Sequence, residues 1–175
     1  MLKISAGIVV ILAVVVLGFA ATRPDSFSVR RAASIQAPPE KIFPLINDFG
    51  RWSAWSPYEK KDPAMKRSFS GPVAGKGAVY AWEGNGEVGQ GRMEIADAVA
   101  PFRVTLKLDF VKPFEAHNVV DFTLEPKGQG TEVTWAMNGP MPFVSKVVTL
   151  FVDMDRMVGG DFEAGLANLK ALAEQ

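Results

Sequence analysis

The sequence predicts an α+β protein in which an antiparallel sheet of about seven strands packs against a long C-terminal helix, with a transmembrane helix in front of both. Three observations support this prediction. Apolar and polar residues alternate with a period of two through much of the chain, as in antiparallel strands with one buried face. The C-terminal stretch changes to a helical period. The N-terminal stretch contains a long apolar run without charge.

The apolar run covers residues 4–22, with Lys3 before it and Arg23 after it. As a helix it would be roughly 28 Å long at about 1.5 Å per residue, close to the roughly 30 Å hydrocarbon core of a bilayer. We therefore expect residues 1–23 to be an anchor and residues 24–175 to be the folded domain. This makes the chain a single-pass membrane protein.

A cleaved secretory signal is the alternative, because the small residues Gly18 and Ala20 would suit a signal peptidase. The anchor is favoured because signal h-regions usually have only about 7–15 residues. More arginines come after the run than lysines before it, which favours a cytoplasmic domain. A signal-like segment with so short a lead normally exports the domain behind it, and on that ground we expect the domain on the exported side.

Alternation is clearest in residues 102–110, 119–125 and 132–138. The first strand, within residues 26–36, has one apolar face that Arg31 interrupts. Two shorter patterns, and turn signals rich in glycine and proline between the strands, bring the expected number to about seven. The side chains expected to point inward from the clearest strands are those of Phe102, Val104, Leu106, Leu108, Phe110, Val120, Phe122, Leu124, Val133, Trp135 and Met137.

Two helical regions flank the strands. Pro38 and Pro39 suit the first turn of a helix, but Pro44 lies deeper than a regular helix accommodates, so the first helix should be short or kinked. Residues 142–173 are expected to form one long helix with an apolar stripe against the sheet. The stripe comprises Val144, Val147, Phe151, Met154, Val158, Phe162, Gly165, Leu166 and Leu169.

Four carboxylates lie in the same C-terminal stretch. A helical wheel places Asp153, Asp161 and Glu163 on or beside the solvated face, whereas Asp155 falls inside the apolar stripe. Either a local kink lets Asp155 reach water or an arginine, or Asp155 makes a polar contact inside a ligand pocket. The spacing does not fit a calcium-binding loop, whose sixth position requires glycine.

Composition argues against several classes of protein. Nineteen Lys and Arg residues balance nineteen Asp and Glu residues, so the chain lacks the basic excess of a nucleic-acid-binding protein. There is no cysteine, His117 is the sole histidine, and no G-x-S-x-G motif occurs. We expect neither a metal nor a cofactor. The lack of a catalytic constellation argues against an enzyme.

Aromatic residues concentrate after the first helix, where Trp52, Trp55 and Tyr58 stand close together, and Trp82 and Trp135 add rings from the strands. Large rings with one polar group suit the rim of an apolar cavity. The alternative is ordinary core packing, which we expect for at least two of the four tryptophans.

Several separated stretches resemble one family in the right order. They are "IQAPPEKIFPLINDFGRWSAWSPYEKKDPAMKRSFSGPVAGKGAVYAWEGN", "VGQGRMEI", "GTEVTWAMNG" and "DMDRMVGGDFEAGLANLK". Together they resemble the polyketide cyclase/dehydrase branch of the START-like (SRPBCC) superfamily over residues 26–173. The resemblance implies the helix-grip fold, in which a curved antiparallel sheet wraps around the C-terminal helix. It also implies a cavity between sheet and helix for a hydrophobic ligand.

These inferences lead to a membrane-tethered helix-grip domain that binds a hydrophobic small molecule or a lipid. The expected ligand contacts are Trp52, Trp55, Trp82, Phe110, Phe122, Trp135, Phe151 and Asp155.

Two alternatives remain open. One is a cyclase or hydratase that uses Asp155 or Glu83 as a general base. The other is a structural or interaction domain whose core is filled. The space between sheet and helix distinguishes them: filled favours the interaction domain, open and apolar a binding protein, and open with converging polar groups an enzyme.

Overall fold

A computed structural model describes residues 14–175, which contain a seven-stranded antiparallel sheet. The strand order is β1-β7-β6-β5-β4-β3-β2, so β1 and β2 are the edge strands. The predicted number of strands is confirmed. The strands are β1 (Ser26–Ile35), β2 (Lys66–Ser70), β3 (Val79–Glu83), β4 (Gln90–Val99), β5 (Arg103–Lys112), β6 (Ala116–Lys127) and β7 (Gly130–Pro140).

Alternation along the strands produces one buried inner face. Leu106 on β5 pairs with Val120 on β6, which pairs with Met137 on β7, and all three are buried. Rows of this kind cross the sheet, because residues directly opposite in antiparallel strands point to the same side. The inner face is therefore a continuous apolar wall.

Helices cover the inner face from two directions. The first helix has nine residues and contains Pro44, which confirms the expectation of a short helix; it contacts β5 and β6, while the last helix lies along β1. The helices are α1 (Pro39–Asn47), a 3-10 helix (Phe49–Ala54), α2 (Pro57–Lys61), α3 (Phe143–Val148) and α4 (Met154–Ala173).

The C-terminal helix begins later than predicted. The structure has two helices, α3 and α4, separated by residues 149–153. Asp153 is the N-cap of α4, and its carboxylate accepts a hydrogen bond from the backbone N–H of Arg156 at 2.9 Å. The predicted stripe is right for Phe162, Leu166 and Leu169, which are buried, and wrong for Val144 and Phe151, which are exposed.

The transmembrane helix predicted for residues 1–23 is not found. Residues 1–13 lie outside the part that the structure describes. Within residues 14–175, no helix is long and apolar enough to cross a membrane. This finding contradicts the predicted single-pass membrane location.

Candidate functional site

Four of the predicted contact residues form one aromatic cluster under α1 and α4. Trp52 and Trp55 lie 4.8 Å apart between ring centroids, and Trp55 meets Trp135 edge-to-face at 5.7 Å. Phe122 lies 4.9 Å from Trp135 between ring centroids, and Phe162 of α4 stacks on Trp135 at 4.1 Å. These rings pack against one another between the sheet and the helices.

Trp82 and Phe110 form a second pair nearer the end of the sheet. Their rings meet edge-to-face at 5.6 Å. Gly91 of β4 lies between the strands that carry them, and a side chain there would overlap the Trp82 ring. The pair connects to the cluster through Tyr80 and Phe49.

The indole N–H groups separate the four tryptophans into two sets. The Nε1 atoms of Trp52, Trp55 and Trp82 each donate a hydrogen bond of 2.9 Å. The acceptors are the backbone carbonyls of Ile46, Leu45 and Val88, respectively. These bonds fix α1 and the β3–β4 turn, so Trp52 and Trp55 have the core-packing role that was expected for at least two tryptophans. The Trp135 Nε1 atom is buried and has no acceptor among the described residues.

One row of the inner face is less completely buried than the row beside it. Met93, Leu108 and Asn118 lie directly opposite one another on β4, β5 and β6, and are 9%, 8% and 7% exposed. The next row, formed by Ile95, Leu106 and Val120, is 0%, 0% and 3% exposed. We call the row of Met93, Leu108 and Asn118 the open row, because it is the less completely buried of the two.

Asn118 is the polar member of the open row. Its Oδ1 atom is buried and has no hydrogen-bond donor among the described residues. Gly139 of β7 lies beside it, and a side chain at position 139 would overlap both the Asn118 carboxamide and the Phe27 ring of β1. The glycine thus leaves room for an amide and a ring to meet on an otherwise apolar wall.

Asp155 is committed to an ion pair outside the aromatic cluster. Arg31 Nη1 and Nη2 donate to its two carboxylate oxygens at 3.1 and 2.9 Å, and Arg31 Nε donates to Glu163 at 2.6 Å. The hydrogen bonds from Arg31 lower the pKa of Asp155, and those to Asp155 and Glu163 raise the pKa of Arg31. The Asp155 side chain is 62% exposed. Of the two alternatives for Asp155, the structure favours the one in which it reaches an arginine.

Phe151 lies away from the aromatic cluster. It belongs to the segment between α3 and α4 and is 75% exposed. Its predicted inward position depended on a continuous helix, which the cap at Asp153 interrupts.

Other candidate groups for chemistry lie at the surface. Glu83 is more than half exposed and faces Lys66 at 3.6 Å. His117 is exposed and bonds to Asp109 at 2.7 Å, and this bond raises the pKa of the imidazole. Among residues 14–175, no group of three His, Asp or Glu side chains is placed to hold a metal ion.

The sequence itself contains a signal that could have identified Asn118. In "HNVVDFTLE", Asn118 has the same phase as Val120 and Phe122, so it points inward. A polar residue at an inward position is informative because a buried amide requires a partner. Met93 and Leu108 carried no comparable signal, since their exposure depends on where the helices stop.

Two concavities of the described part lie outside the aromatic cluster. One, of about 530 Å³, runs along residues 26–29 and 149–155. The other, of about 200 Å³, lies between Phe49 and the β2–β3 loop. Neither concavity is lined by a residue of the aromatic cluster.

Solved structures share this fold at low sequence identity. Protein CV1439 from Chromobacterium violaceum is 15% identical, with a TM-score of 0.60 over 87% of this chain and 99% of its own. The Aha1 dimer from Colwellia psychrerythraea is 16% identical, with a TM-score of 0.61 over 85% and 96%. The di-domain ARO/CYC BexL from the BE-7585A biosynthetic pathway is 12% identical, with a TM-score of 0.64 over 91% and 53%.

No curated protein matches the chain significantly. The model of the family described as polyketide cyclase / dehydrase and lipid transport matches residues 26–174. That match covers every strand and every helix from β1 to α4. The chain therefore belongs to the polyketide cyclase / dehydrase and lipid transport family, as the resemblance of its sequence indicated.

Proposed function

We propose that the domain binds a small apolar molecule carrying a hydrogen-bond donor, on the inner face of the sheet at the open row. The single observation that carries the proposal is the Oδ1 atom of Asn118, which lies on an apolar wall and is buried and unpartnered among the described residues. A ligand donor would supply the missing partner.

Energetics support a role for this amide. A buried polar group without a partner costs about 1–3 kcal/mol, which a leucine of similar shape would avoid. Such a cost is often found at functional sites. Met93 and Leu108 beside Asn118 would contact the apolar body of the ligand.

The predicted contact residues lie at different distances from the open row. Trp82 and Phe110 flank the open row, and the Trp135 N–H, which has no acceptor among the described residues, lies two rows further along β7. Trp52, Trp55 and Phe122 form the packed floor beneath. Phe27 is the ring that has to move, because it lies over Gly139 beside Asn118.

Binding is a better match than catalysis for this arrangement. A general base requires an available lone pair near the substrate and a pKa near the working pH. Asp155 has a lowered pKa and gives both oxygens to Arg31. Glu83 points to solvent beside Lys66. The family takes in polyketide cyclases and lipid transport, which supports an apolar ligand.

Calorimetric titration of the full-length chain with 1-naphthol and 1-methylnaphthalene tests the proposal. The two probes share the ring system, but only 1-naphthol can donate to Asn118. We expect 1-naphthol to bind about 3- to 10-fold more tightly, as one hydrogen bond of about 0.5–1.5 kcal/mol requires. The Asn118→Leu variant should lose this preference and bind both probes alike.

The matched control is Asn138→Leu, the same change on an exposed residue of the outer face of β7. It should keep the preference for 1-naphthol. If neither probe binds, or if both leucine variants behave like the wild type, the filled-core interaction domain becomes the better account.

A further inference from the structure

Phe27 of β1 lies beside Asn118 at the end of the open row. The register pairs Phe27 with Gly139 of β7. A Cβ atom on Gly139 would overlap both the Phe27 ring and the Asn118 carboxamide, so the ring and the amide are immediate neighbours. The ring is partly buried against the core. Because β1 is an edge strand, Phe27 is the last ring between Asn118 and that edge of the sheet.

Phe27 also lines the concavity of about 530 Å³, which we call the edge groove. Small-molecule sites usually have volumes of roughly 300–1,000 Å³, so the edge groove has the size of a ligand site. Its far wall is formed by residues 149–155, which include the break between α3 and α4. A single aromatic ring therefore borders both the edge groove and Asn118.

Apolar side chains line both walls of the edge groove. Phe27 and Met141 lie on the side of the sheet, and Leu150, Phe151 and Val152 lie on the side of the segment between α3 and α4. Phe151 and Val152 are 75% and 41% exposed. Exposed apolar side chains that gather in a concave surface are typical of a binding site.

The charges that line the edge groove oppose one another. They are those of Arg23, Asp153 and Asp155. Neither carboxylate is available to a cation, because Asp153 caps α4 and Asp155 pairs with Arg31. An anion that approached Arg23 would meet these two negative charges as well. An ionised ligand would thus lose its hydration without gaining a dedicated partner, and the lining favours an uncharged molecule.

We infer that the edge groove is the outer half of the ligand site, that it holds the apolar chain of an elongated, uncharged alcohol, and that Phe27 is the gate between the two halves. The inference rests on the proposed function, whose ligand donor is here the hydroxyl group. The hydroxyl passes Phe27 and donates to Asn118, while the chain contacts Leu150 and Val152. Neighbouring strands lie about 4.8 Å apart, so a molecule that reaches from Asn118 on β6 to the edge at β1 is at least roughly 10 Å long.

Calorimetric titration of the full-length chain with 1-hexanol, 1-octanol and 1-decanol tests the inference. Each methylene group that becomes buried in the edge groove should raise the affinity about fourfold. The methyl ethers of the same alcohols are the matched probes, because they keep the chain and cannot donate to Asn118. Each alcohol should bind about 3- to 10-fold more tightly than its ether, and Asn118→Leu should remove this preference.

A charge placed on the far wall tests where the chain lies. Position 152 is exposed, so Val152→Asp should keep the fold, and its carboxylate should weaken binding of 1-decanol at least about tenfold. Binding of 1-naphthol should be unchanged, because that probe lies at the open row. The matched control is Val144→Asp, the same change on an exposed valine of α3 that does not line the edge groove. It should bind 1-decanol like the wild type.

The gate predicts a kinetic effect, which stopped-flow tryptophan fluorescence measures. Phe27→Ala should raise the association rate of 1-decanol at least about threefold, because no ring has to move before the hydroxyl reaches Asn118. Phe27→Leu keeps more of the contact with the core and should also raise the rate, so it serves if thermal melts show that the alanine variant is unfolded. The matched control is Phe102→Ala, an exposed ring between β4 and β5, which should leave the rate unchanged.

Three results would overturn the inference and leave the proposed function intact, provided that 1-naphthol keeps its Asn118-dependent preference. They are an affinity that does not change with chain length, equal effects of Val152→Asp and Val144→Asp, and an unchanged association rate in both Phe27 variants.

Failure of the proposed function would look different, because no probe, 1-naphthol included, would then respond to Asn118→Leu. A dimer in sedimentation that Val152→Asp dissociates, together with alcohols that do not bind, would also overturn the inference. It would assign the edge groove to a second copy of the chain.

Discussion

Arg31 on β1 lies directly against Gly159 of α4, and a side chain at position 159 would overlap the guanidinium. The absence of a Cβ atom lets Arg31 reach Asp155 and Glu163, on either side of the glycine along the helix. This contact fixes α4 along the edge strand. It explains why an arginine interrupts the apolar face of β1, and why a glycine stands inside a helix.

Paired glycine substitutions test this relationship. Gly160→Ala should raise the free energy of unfolding by about 0.5–1 kcal/mol, because residue 160 faces open space and alanine favours the helix. Gly159→Ala should show no such gain and should lower it, since the new methyl group displaces Arg31. Chemical denaturation of both variants measures the difference. Equal effects would mean that Arg31 does not require this space.

The ion pair predicts a particular pH dependence. The folded-state pKa of Asp155 lies below its ordinary value of 3.8. Its contribution to stability is therefore complete above that value and disappears as the pH falls through the folded-state pKa. Asp155→Asn should melt below the wild type near neutral pH, and the gap should narrow as the pH falls below 3.8 and through the lowered folded-state pKa. A gap that persists in acid would rule out the carboxylate charge as its cause.

A comparison of two phenylalanines tests where the C-terminal helix meets the core. Phe162→Ala should cost about 3–5 kcal/mol, because the ring is buried against Trp135. Phe151→Ala should stay within about 0.5 kcal/mol of the wild type, because the ring is exposed. Urea denaturation of both variants distinguishes the observed break from one continuous helix, for which the two costs would be similar.

The start of α4 depends on its cap. Asp153→Ala should lower the free energy of unfolding by about 0.5–2 kcal/mol, since it removes the acceptor for the Arg156 N–H. Asp153→Asn should restore most of the loss, because asparagine caps equally well. A cost below about 0.5 kcal/mol in the alanine variant would show that Asp153 is only a solvated residue, as the helical wheel alone suggested.

The fold was predictable because its signals are local. The alternation around Leu106 and Val120 identified the strands, and Pro44 indicated a short first helix. The break before α4 was missed because Asp153 has two local interpretations, a solvated helical residue and a cap. A helical wheel assumes a continuous helix, so it assigns wrong directions to residues that precede the cap. Phe151 was placed inward for that reason.

The site was less predictable because its contacts are distant in the chain. Arg31 and Asp155 are 124 residues apart. The strand pattern around Arg31 and the helical pattern around Asp155 therefore could not show that the two residues pair. Trp52, Trp55 and Trp135 share one cluster, but sequence composition could not show that the N–H groups of Trp52 and Trp55 bond to backbone carbonyls. Asn118 was recognisable only as a polar residue on an inward phase.

The central claim is that Asn118 contacts a ligand on the inner face, and two-dimensional ¹H–¹⁵N NMR tests it most directly. The side-chain amide signals of Asn118 should shift as 1-naphthol is added to the full-length chain, and those of Asn138 on the outer face should stay in place. Saturating additions that move neither signal, or that move both equally, would contradict the claim.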